Sequence, residues 1–281
     1  MKVLVIGAGN MGLTYARSIA DSGHLKKEDL MIYDKSAELR ETLNKASDNF
    51  LVQDSLEECL PISDIIFLAV KPYHIEDLME EMKEMVDDQK LFISIMAGVT
   101  IETLQEGLGI KKVVRAMPNL PAQVGKGMTS YLAAPEISRI ELWMVEDLLN
   151  STGKSVRVDS QMFIDASTGI SGSGPAYVFY FMESMMDAAK SMGFSDNDSK
   201  VLVSATFEGA IELFNKNKLS PDGWMKRVAS KGGTTQAALD SLEDNNVKDL
   251  IHDAAYAAFN RAIELGKDEE ETEKETAEVA K

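Results

Sequence analysis

The feature that most constrains this chain is a glycine-rich turn that directly follows its first apolar run. The N-terminal sequence MKVLVIGAGNMG places the pattern G-x-G-x-x-G between a strand-like segment and a helix-like segment. In such a turn Gly7 permits the tight bend, Gly9 lets a pyrophosphate approach the backbone, and Gly12 allows close packing of the helix on the strand. A glycine turn without a ligand is the alternative, but the strand before it and the helix after it favour a dinucleotide site. The predicted cofactor contacts in this turn are Gly7, Ala8, Gly9, Asn10, Met11 and Gly12.

Strand-like and helix-like segments alternate through the first half of the chain. The segments between the strands mostly show the i, i+3, i+4 apolar spacing of amphipathic helices. This alternation predicts βαβ units and a mostly parallel sheet, so residues 1–159 are predicted to form a Rossmann-type α/β domain that binds a dinucleotide. The short apolar runs that are predicted to be strands lie at 2–6, before the glycine turn, and at 29–34, 64–70, 91–98, 112–118, 128–134 and 155–159.

Beyond residue 159 the strand signal ends and helical spacing takes over, so residues 160–281 are predicted to form an all-α substrate and oligomerisation domain. Two of its helices are apolar nearly all round, and such helices must be buried on every side. A second copy of the chain can bury them as well as the domain itself can, so a homodimer or a higher homo-oligomer is predicted. The acidic segment 268–281 is expected to be a solvated helix extension or a frayed tail. The encircling residues are Val178, Phe179, Phe181 and Met182 on one helix and Val201, Leu202, Val203 and Phe207 on the other.

Charge and cysteine content argue against several functions. The net charge of −17 repels phosphate, so neither nucleic acid nor an anionic membrane surface is an expected partner. No uncharged apolar run of membrane-spanning length occurs. The single cysteine, Cys59, precludes an intrachain disulfide, and the chain is expected in the reducing cytoplasm. The histidines, His24, His74 and His252, lack the spacing of metal ligands, so no metal site is predicted.

The residues that follow the second predicted strand bear on the type of cofactor. An acidic residue at this point hydrogen-bonds the ribose 2′-hydroxyl of NAD, whereas a basic residue accommodates the 2′-phosphate of NADP. Asp34 would repel a phosphate, while Lys35 and Ser36 would favour one. All three are predicted to contact the cofactor, and the choice between NADPH and NADH stays open. An ordinary charged surface turn is the alternative.

Three further strand ends are expected at the same rim of the sheet, because the carboxyl ends of parallel strands meet at one edge. The Lys71 ammonium group is expected near a phosphate or a ribose, although a solvent-exposed lysine fits equally well. Small residues after the next strand leave room for a ring against the backbone. Arg115 and Asn119 belong to a stiff loop that contains two prolines. The cofactor contacts predicted at these ends are Ala69, Val70, Lys71, Pro72, Ala97, Gly98 and Asn119.

The segment 169–177, GISGSGPAY, opens the predicted helical domain. Pro175 suits a first helical turn, and Ser171 or Ser173 suits the N-cap before it. Two interpretations are compatible with each other: a hinge between domains, and a flexible backbone that packs against the substrate or the nicotinamide.

Taken together, these segments resemble the pyrroline-5-carboxylate reductase family. The resemblance is carried by IGAGNMG, FLAVKP, SIMAGVTIETL, RAMPNLP, TGISGSGPAYVF and VASKGGTTQAAL, which occur in the family's order and spacing. It implies an N-terminal Rossmann domain, a helical domain that dimerises, and the reduction of an imino acid, 1-pyrroline-5-carboxylate, to L-proline by NADPH or NADH. Asp34 departs from the residues that favour the 2′-phosphate in the family, so the resemblance does not choose between the two coenzymes.

The resemblance also implies a substrate loop and a reacting hydroxyl. The loop maps onto Ser230, Gly232, Gly233, Thr234 and Thr235. Its glycines expose backbone N–H groups at a helix start, where the substrate carboxylate can dock. By its position in the motif, Thr235 is the catalytic residue, whose hydroxyl hydrogen-bonds the ring nitrogen. Lys231 stands where many members have proline, and its ammonium group either helps to hold the carboxylate or faces solvent.

Three alternatives to this function fit the sequence to different degrees. A β-hydroxyacid dehydrogenase has the same domain arrangement, but its chemistry usually needs a lysine on the helix after the interdomain glycines, and here none occurs before Lys190. A non-catalytic dinucleotide sensor would have no reason to keep the SKGGTT loop. An imine reductase that acts on another ring, such as a six-membered analogue, fits the sequence as well.

Overall fold

The computed structural model describes residues 1–46 and 48–279, with side chains up to residue 265. The chain separates into two compact units. The first comprises Met1–Ser173 together with the residues from Ala257 onward, and the second comprises Gly174–Tyr256.

A single eight-stranded sheet organises the first unit. The strand order is β3-β2-β1-β4-β5-β6-β7-β8, and every neighbouring pair is parallel except β6 with β7. The mostly parallel sheet predicted from the sequence is confirmed. The strands are β1 (Val3–Ile6), β2 (Leu30–Tyr33), β3 (Leu51–Val52), β4 (Ile65–Leu68), β5 (Leu91–Ser94), β6 (Val113–Met117), β7 (Gly127–Ala133) and β8 (Gly153–Arg157).

Strands β1 and β4 are apolar throughout because both faces of the sheet are covered. Successive side chains of a strand point to opposite faces. Val3 and Val5 accordingly belong to one buried cluster, and Leu4 and Ile6 belong to the other. These clusters fix strand β1 at the centre of the unit.

In the described residues, seven α-helices before the π-helical segment accompany the sheet. The spacing of apolar residues predicted five of them. The seven-residue α7 was not predicted, and the four-residue α3, like the two-residue β3, is too short to show a period. Helix α4 ends at Met82, before the end of the helical pattern at Val86. The helices are α1 (Asn10–Ser22), α2 (Ala37–Ala46), α3 (Leu56–Cys59), α4 (Ile75–Met82), α5 (Ile101–Leu108), α6 (Arg139–Asn150) and α7 (Gln161–Ser167).

The compact first unit extends beyond the predicted boundary at residue 159 because α7 lies against β6 and β7. A π-helical segment, Thr168–Gly172, then leads into the second unit. The functional division into residues 1–159 and 160–281 stays a prediction.

The second unit is wholly helical in the described residues. Helices α8 and α9 pack against each other. The helices are α8 (Gly174–Ser191), α9 (Asp196–Lys216), α10 (Pro221–Val228), α11 (Thr234–Asp244) and the start of α12 (Val247–Val279).

The N-cap predicted for α8 is wrong. The hydroxyl of Ser171 donates to the carbonyl of Ser167 at 3.0 Å, inside the π-helical segment. Ser173 has helical backbone angles, φ −80° and ψ −19°, rather than the extended angles of an N-cap. The helix therefore continues through both serines, and no cap is needed.

The backbone of α12 is helical to Val279. This agrees with the first of the two expectations for the segment 268–281, a helix extension. Ala280, Lys281 and the side chains of that segment lie outside the described residues. No helix in the described part of the chain is long and apolar enough to cross a membrane.

Candidate coenzyme and substrate sites

The turn between β1 and α1 can be built only with glycine at two positions. Gly7 has φ +99°, and a Cβ added to it would lie 2.8 Å from the carbonyl carbon of Ala69. A Cβ added to Gly12 would lie 1.9 Å from the carbonyl oxygen of Gly7. The first glycine therefore permits the bend beside β4, and the last permits α1 to approach the strand.

The space beside Gly9, unlike that beside Gly7 and Gly12, is open. A Cβ placed there meets no protein atom within 4 Å. Gly9 is also the N-cap of α1, where no side chain caps the helix and no acidic residue lies in the first turn. The first-turn amides thus face a space that a pyrophosphate fits, since a helix N-terminus favours an anion.

The end of β2 is tied to the glycine turn through Asp34. One carboxylate oxygen accepts the N–H of Ala8 at 2.7 Å, and the other accepts the N–H of Ser36 at 2.9 Å. The guanidinium of Arg40 donates to the carbonyl oxygens of Asp34 at 2.7 Å and Lys35 at 3.2 Å. The segment after β2 is therefore held in one conformation.

A cavity of about 370 Å³ opens where the strand order reverses, between β1 and its neighbours β2 and β4. This topological switch point is where open α/β sheets bind ligands. Eight of the predicted cofactor contacts line the cavity, namely Gly7, Gly9, Asp34, Lys35, Ser36, Ala69, Val70 and Lys71. The structure therefore brings together three chain segments that the sequence placed at one rim.

Sequence reasoning missed one wall of this cavity. His74, Asp77, Leu78 and Glu81 line it from α4 and the turn before it. Their spacing follows one face of a helix that starts just after β4, and that periodicity is the signal that could have identified them. Ile6 and Tyr33 complete the lining.

The charges of this wall affect the pKa of the Tyr33 phenol. Burial raises the pKa of Tyr33, and the carboxylate of Glu81 raises it further, against a smaller opposing effect of Arg40. The guanidinium of Arg40 lies 5.6 Å from the centre of the Tyr33 ring. The wall formed by α4 therefore contributes negative potential at this end of the cavity.

The other predicted cofactor contacts lie outside the lining of this cavity. Ala97 and Gly98 lie between β5 and α5, and Gly98 has φ +84°. Asn119 is engaged within the protein: its amide nitrogen donates to the carbonyl of Ser171 at 2.9 Å, and its carbonyl accepts the N–H of Met128 at 2.8 Å. Their contact with a coenzyme stays a prediction, as does that of Ala8, Asn10, Met11, Gly12 and Pro72.

Arg115, which the sequence placed at the end of β6, is buried beneath α7. Its guanidinium donates to Gln161 and to Asp165, each at 2.7 Å. Gln161 in turn donates to Glu102 at 2.9 Å. This network joins the sheet to α7, which immediately precedes the π-helical segment.

The predicted substrate loop lies in the second unit. Gly232 has φ +73°, and a Cβ on Gly233 would lie 2.5 Å from the hydroxyl oxygen of Ser230. The N–H of Gly233 donates to the carbonyl of Ser230 at 2.9 Å. The backbone of the turn therefore favours glycine at position 232, and a side chain at position 233 would displace the hydroxyl of Ser230, whatever the turn binds.

This turn ends at a helix start that no side chain caps. Gly233 is the N-cap of α11, and the first turn carries no acidic residue. Helices α5, α6, α9 and α10 are capped by side-chain oxygens of Thr100, Ser138, Ser195 and Ser220, whereas α3, α4 and α7 lack such a cap, as α11 does. The start of α11 differs from theirs in its glycine turn. The first amides of α11 are therefore available to an anionic ligand, with the half-buried Thr235 beside them.

Comparisons with known proteins match both units. A family model described as pyrroline-5-carboxylate reductase dimerisation matches residues 161–265, and one described as NADP oxidoreductase, coenzyme F420-dependent, matches residues 2–98. The pyrroline-5-carboxylate reductase of Staphylococcus haemolyticus is 32% identical over 273 residues, covering 96% of this chain and 100% of that protein.

Two solved structures are also similar to this chain over most of its length. A pyrroline-5-carboxylate reductase from Coxiella burnetii aligns with a TM-score of 0.88 and 29% identity over 94% of this chain and 98% of that one. The pyrroline carboxylate reductase of Plasmodium falciparum, solved with NADP bound, aligns with a TM-score of 0.84 and 33% identity over 95% and 98%.

Proposed function

The chain belongs to the pyrroline-5-carboxylate reductase family, and we propose that it reduces the C=N bond of 1-pyrroline-5-carboxylate to L-proline with NADPH or NADH. The observation that carries this proposal is the uncapped N-terminus of α11 at the SKGGTT turn. A dinucleotide turn occurs in many oxidoreductases, whereas this second anion site suits a substrate with a carboxylate.

The carboxylate of the substrate binds the first-turn amides of α11. These N–H groups have no partner within the helix, and the helix dipole favours a negative charge there. The left-handed backbone conformation of Gly232 and the hydrogen bond from the Gly233 N–H to the Ser230 carbonyl set the direction in which the amides point. Lys231, which is exposed in the same turn, adds positive charge to the site.

The chemistry requires no acyl nucleophile, because a protonated cyclic imine is already a strong electrophile. The bound, reduced nicotinamide supplies the hydride. The protein must orient the ring, exclude water and control the proton at the ring nitrogen. We assign that last role to the hydroxyl of Thr235, which lies in the first turn of α11 next to the proposed carboxylate site.

The test compares Thr235→Ala with Thr235→Ser. We expect kcat to fall by about 100-fold in the alanine variant, the lower range for a positioned proton-transfer group. Serine keeps the hydroxyl and is expected to restore most of the activity. The dissociation constant of the coenzyme, measured by calorimetry, should stay unchanged in both.

Thr42→Ala provides the matched control, because the exposed hydroxyl of Thr42 only donates to the carbonyl of Glu38 in its own helix. Unchanged kinetics in Thr235→Ala would remove Thr235 from the mechanism. Assays with 1-pyrroline-5-carboxylate and its six-membered analogue address the alternatives. A higher kcat/KM for the larger ring would favour a different imine reductase, and no turnover of either would favour a sensor.

We further propose that the chain forms a homodimer, or a larger homo-oligomer, through its helical unit. Apolar side chains that were predicted to be buried are exposed in the single chain: Val178 is 45%, Phe179 60%, Val201 56% and Leu202 47% exposed. The dimerisation model matched over residues 161–265 supports the same surface. Light scattering should give at least twice the chain mass of 30.9 kDa, and Phe179→Glu should lower it.

The single cysteine and the net charge bear on the location of the protein and on its partners. We place the protein in the cytoplasm, in keeping with its single buried thiol, Cys59. The net charge of −17 supports the prediction that it binds neither nucleic acid nor membrane. Fractionation of cells that express a tagged chain tests the first statement.

A further inference from the structure

The carboxylate of Asp34 lies in the lining of the coenzyme cavity and has acceptor positions that no group of the described residues uses. Its two oxygens accept the N–H groups of Ala8 and Ser36 at 2.7 and 2.9 Å. An ionised carboxylate has about four acceptor positions, so about two remain. Asp34 also lines the cavity, where those positions suit the two donor hydroxyls of a ribose.

A 2′-phosphate cannot make the same bonds. It carries about 1.5 to 2 negative charges at neutral pH and has little capacity to donate a proton. Beside Asp34 it would meet a fixed negative charge. The carboxylate cannot readily turn away, because both of its oxygens are bound to backbone amides.

The arginine nearest to this strand end is already engaged. The guanidinium of Arg40 donates to the carbonyls of Asp34 and Lys35, pairs with Asp54 at 3.4 Å and lies over the ring of Tyr33. Its side chain is only 16% exposed. A bidentate grip on a phosphate would require Arg40 to abandon these contacts.

The opposite wall adds negative charge. Asp77 and Glu81 lie one helical turn apart on α4, and both line the cavity. Together with Asp34 they set three carboxylates against two ammonium groups, those of Lys35 and Lys71. The lining also contains two titratable rings, those of Tyr33 and His74. This balance disfavours a further dianion at the adenosine end.

We propose that this protein selects NADH over NADPH, and that Asp34 sets the selection by accepting the ribose hydroxyls while Asp77 and Glu81 reinforce it against a 2′-phosphate. The inference rests on the proposed function only for the identity of the reaction. The selection itself is a property of binding.

The first test is the binding of each coenzyme without substrate. Calorimetric titration of the purified protein with NADH and with NADPH should give a dissociation constant for NADH that is lower by about tenfold or more. Steady-state assays with 1-pyrroline-5-carboxylate should show the same order in kcat/KM.

Two variants then separate the contributions. Asp34→Asn removes the charge and one acceptor, so NADH should bind more weakly and NADPH more tightly. Glu81→Gln removes charge without removing a ribose contact, so the binding of NADPH should tighten more than the binding of NADH, and the preference for NADH should shrink. Asp88→Asn is the matched control, because Asp88 precedes β5, at the opposite edge of the sheet, and pairs with Lys111.

The outcomes distinguish the two proposals. Tighter binding of NADPH by the unmodified protein overturns the selection, even if pyrroline-5-carboxylate is reduced. A NADH/NADPH ratio that is unchanged in Glu81→Gln and Asp34→Asn, or that shifts as much in Asp88→Asn, overturns the assignment to these residues. Tight binding of NADH without turnover of any cyclic imine overturns the proposed function and leaves the selection standing.

Discussion

Gly12→Ala offers the sharpest test of how the coenzyme turn is built. The added Cβ would lie 1.9 Å from the carbonyl oxygen of Gly7 and 2.9 Å from the Cβ of Ala69. Ordinary contact between carbon and oxygen begins near 3.3 Å, so α1 must withdraw from β1 by about 1.4 Å. That movement loosens Tyr15 and Ile19, which are fully buried beneath the helix.

We expect this substitution to destabilise the protein by about 3 kcal/mol, the upper range for overpacking. For a chain of this size the melting temperature should fall by about 6–12 °C. Differential scanning calorimetry measures the shift, and equilibrium unfolding in guanidinium chloride measures the free energy.

Gly9→Ala is the matched control, because it adds the same methyl group to the same turn. Gly9 has φ −67°, and the methyl would meet no protein atom. The free energy of unfolding should change by less than about 0.5 kcal/mol. Coenzyme affinity should nevertheless fall by about tenfold or more, because the methyl occupies the space assigned to the pyrophosphate. Equal stability of the two variants would refute the packing argument, and normal coenzyme binding by Gly9→Ala would refute the assigned position of the pyrophosphate.

Three further predictions concern groups outside the coenzyme turn. Asp165→Ala leaves the buried guanidinium of Arg115 without its carboxylate and should cost about 3 kcal/mol in urea unfolding; a loss below about 1 kcal/mol would contradict this. Burial raises the pKa of Cys59 to about 11, so Ellman's reagent at pH 8 should label it only after unfolding, and rapid labelling of the native protein would show that the thiol is accessible. Burial acts to raise the pKa of Glu141, but hydrogen bonds with Lys112 and Ser138 outweigh it and leave the pKa below its ordinary value. This stabilisation is present above the pKa of the unfolded state and is lost as the pH falls through the lower folded pKa. The difference in the free energy of unfolding between the unmodified protein and Glu141→Gln should therefore shrink below about pH 4. A difference that stays constant would contradict the assignment.

Much of the coenzyme cavity could be predicted because its parts are local signals. Gly7 and Asp34 each follow a strand directly, Gly9 lies two residues after Gly7, and parallel strands bring their carboxyl ends to one edge. The predicted residues therefore converge in the structure without any knowledge of distant contacts. Their contacts with the coenzyme and the substrate stay predictions.

The contributions of α4 and the internal bonds of Asn119 depend on tertiary packing as well as on local signals. Asp77 and Glu81 look like ordinary solvated positions of an amphipathic helix, and only the packing of α4 beside β4 turns them toward the cavity. The sequence predicted a coenzyme contact for Asn119 from its place in a proline-flanked loop, and that contact stays a prediction. The structure adds that its amide bonds Ser171 and Met128, which are 52 and 9 residues away in the chain.

The sequence by itself determined the alternation of the main strands and helices and the two glycine turns that precede helices, because these depend on periodicity and on steric demands between near neighbours. The tertiary structure alone decided which charges line the coenzyme cavity and which side chains are engaged in internal bonds. Asp34 shows the difference: its residue type suggested a ribose contact, but only the bonds to Ala8 and Ser36 fix its carboxylate in place. Hydrogen bonds and charges act through distances in space, and the fold sets those distances between residues that the sequence keeps apart.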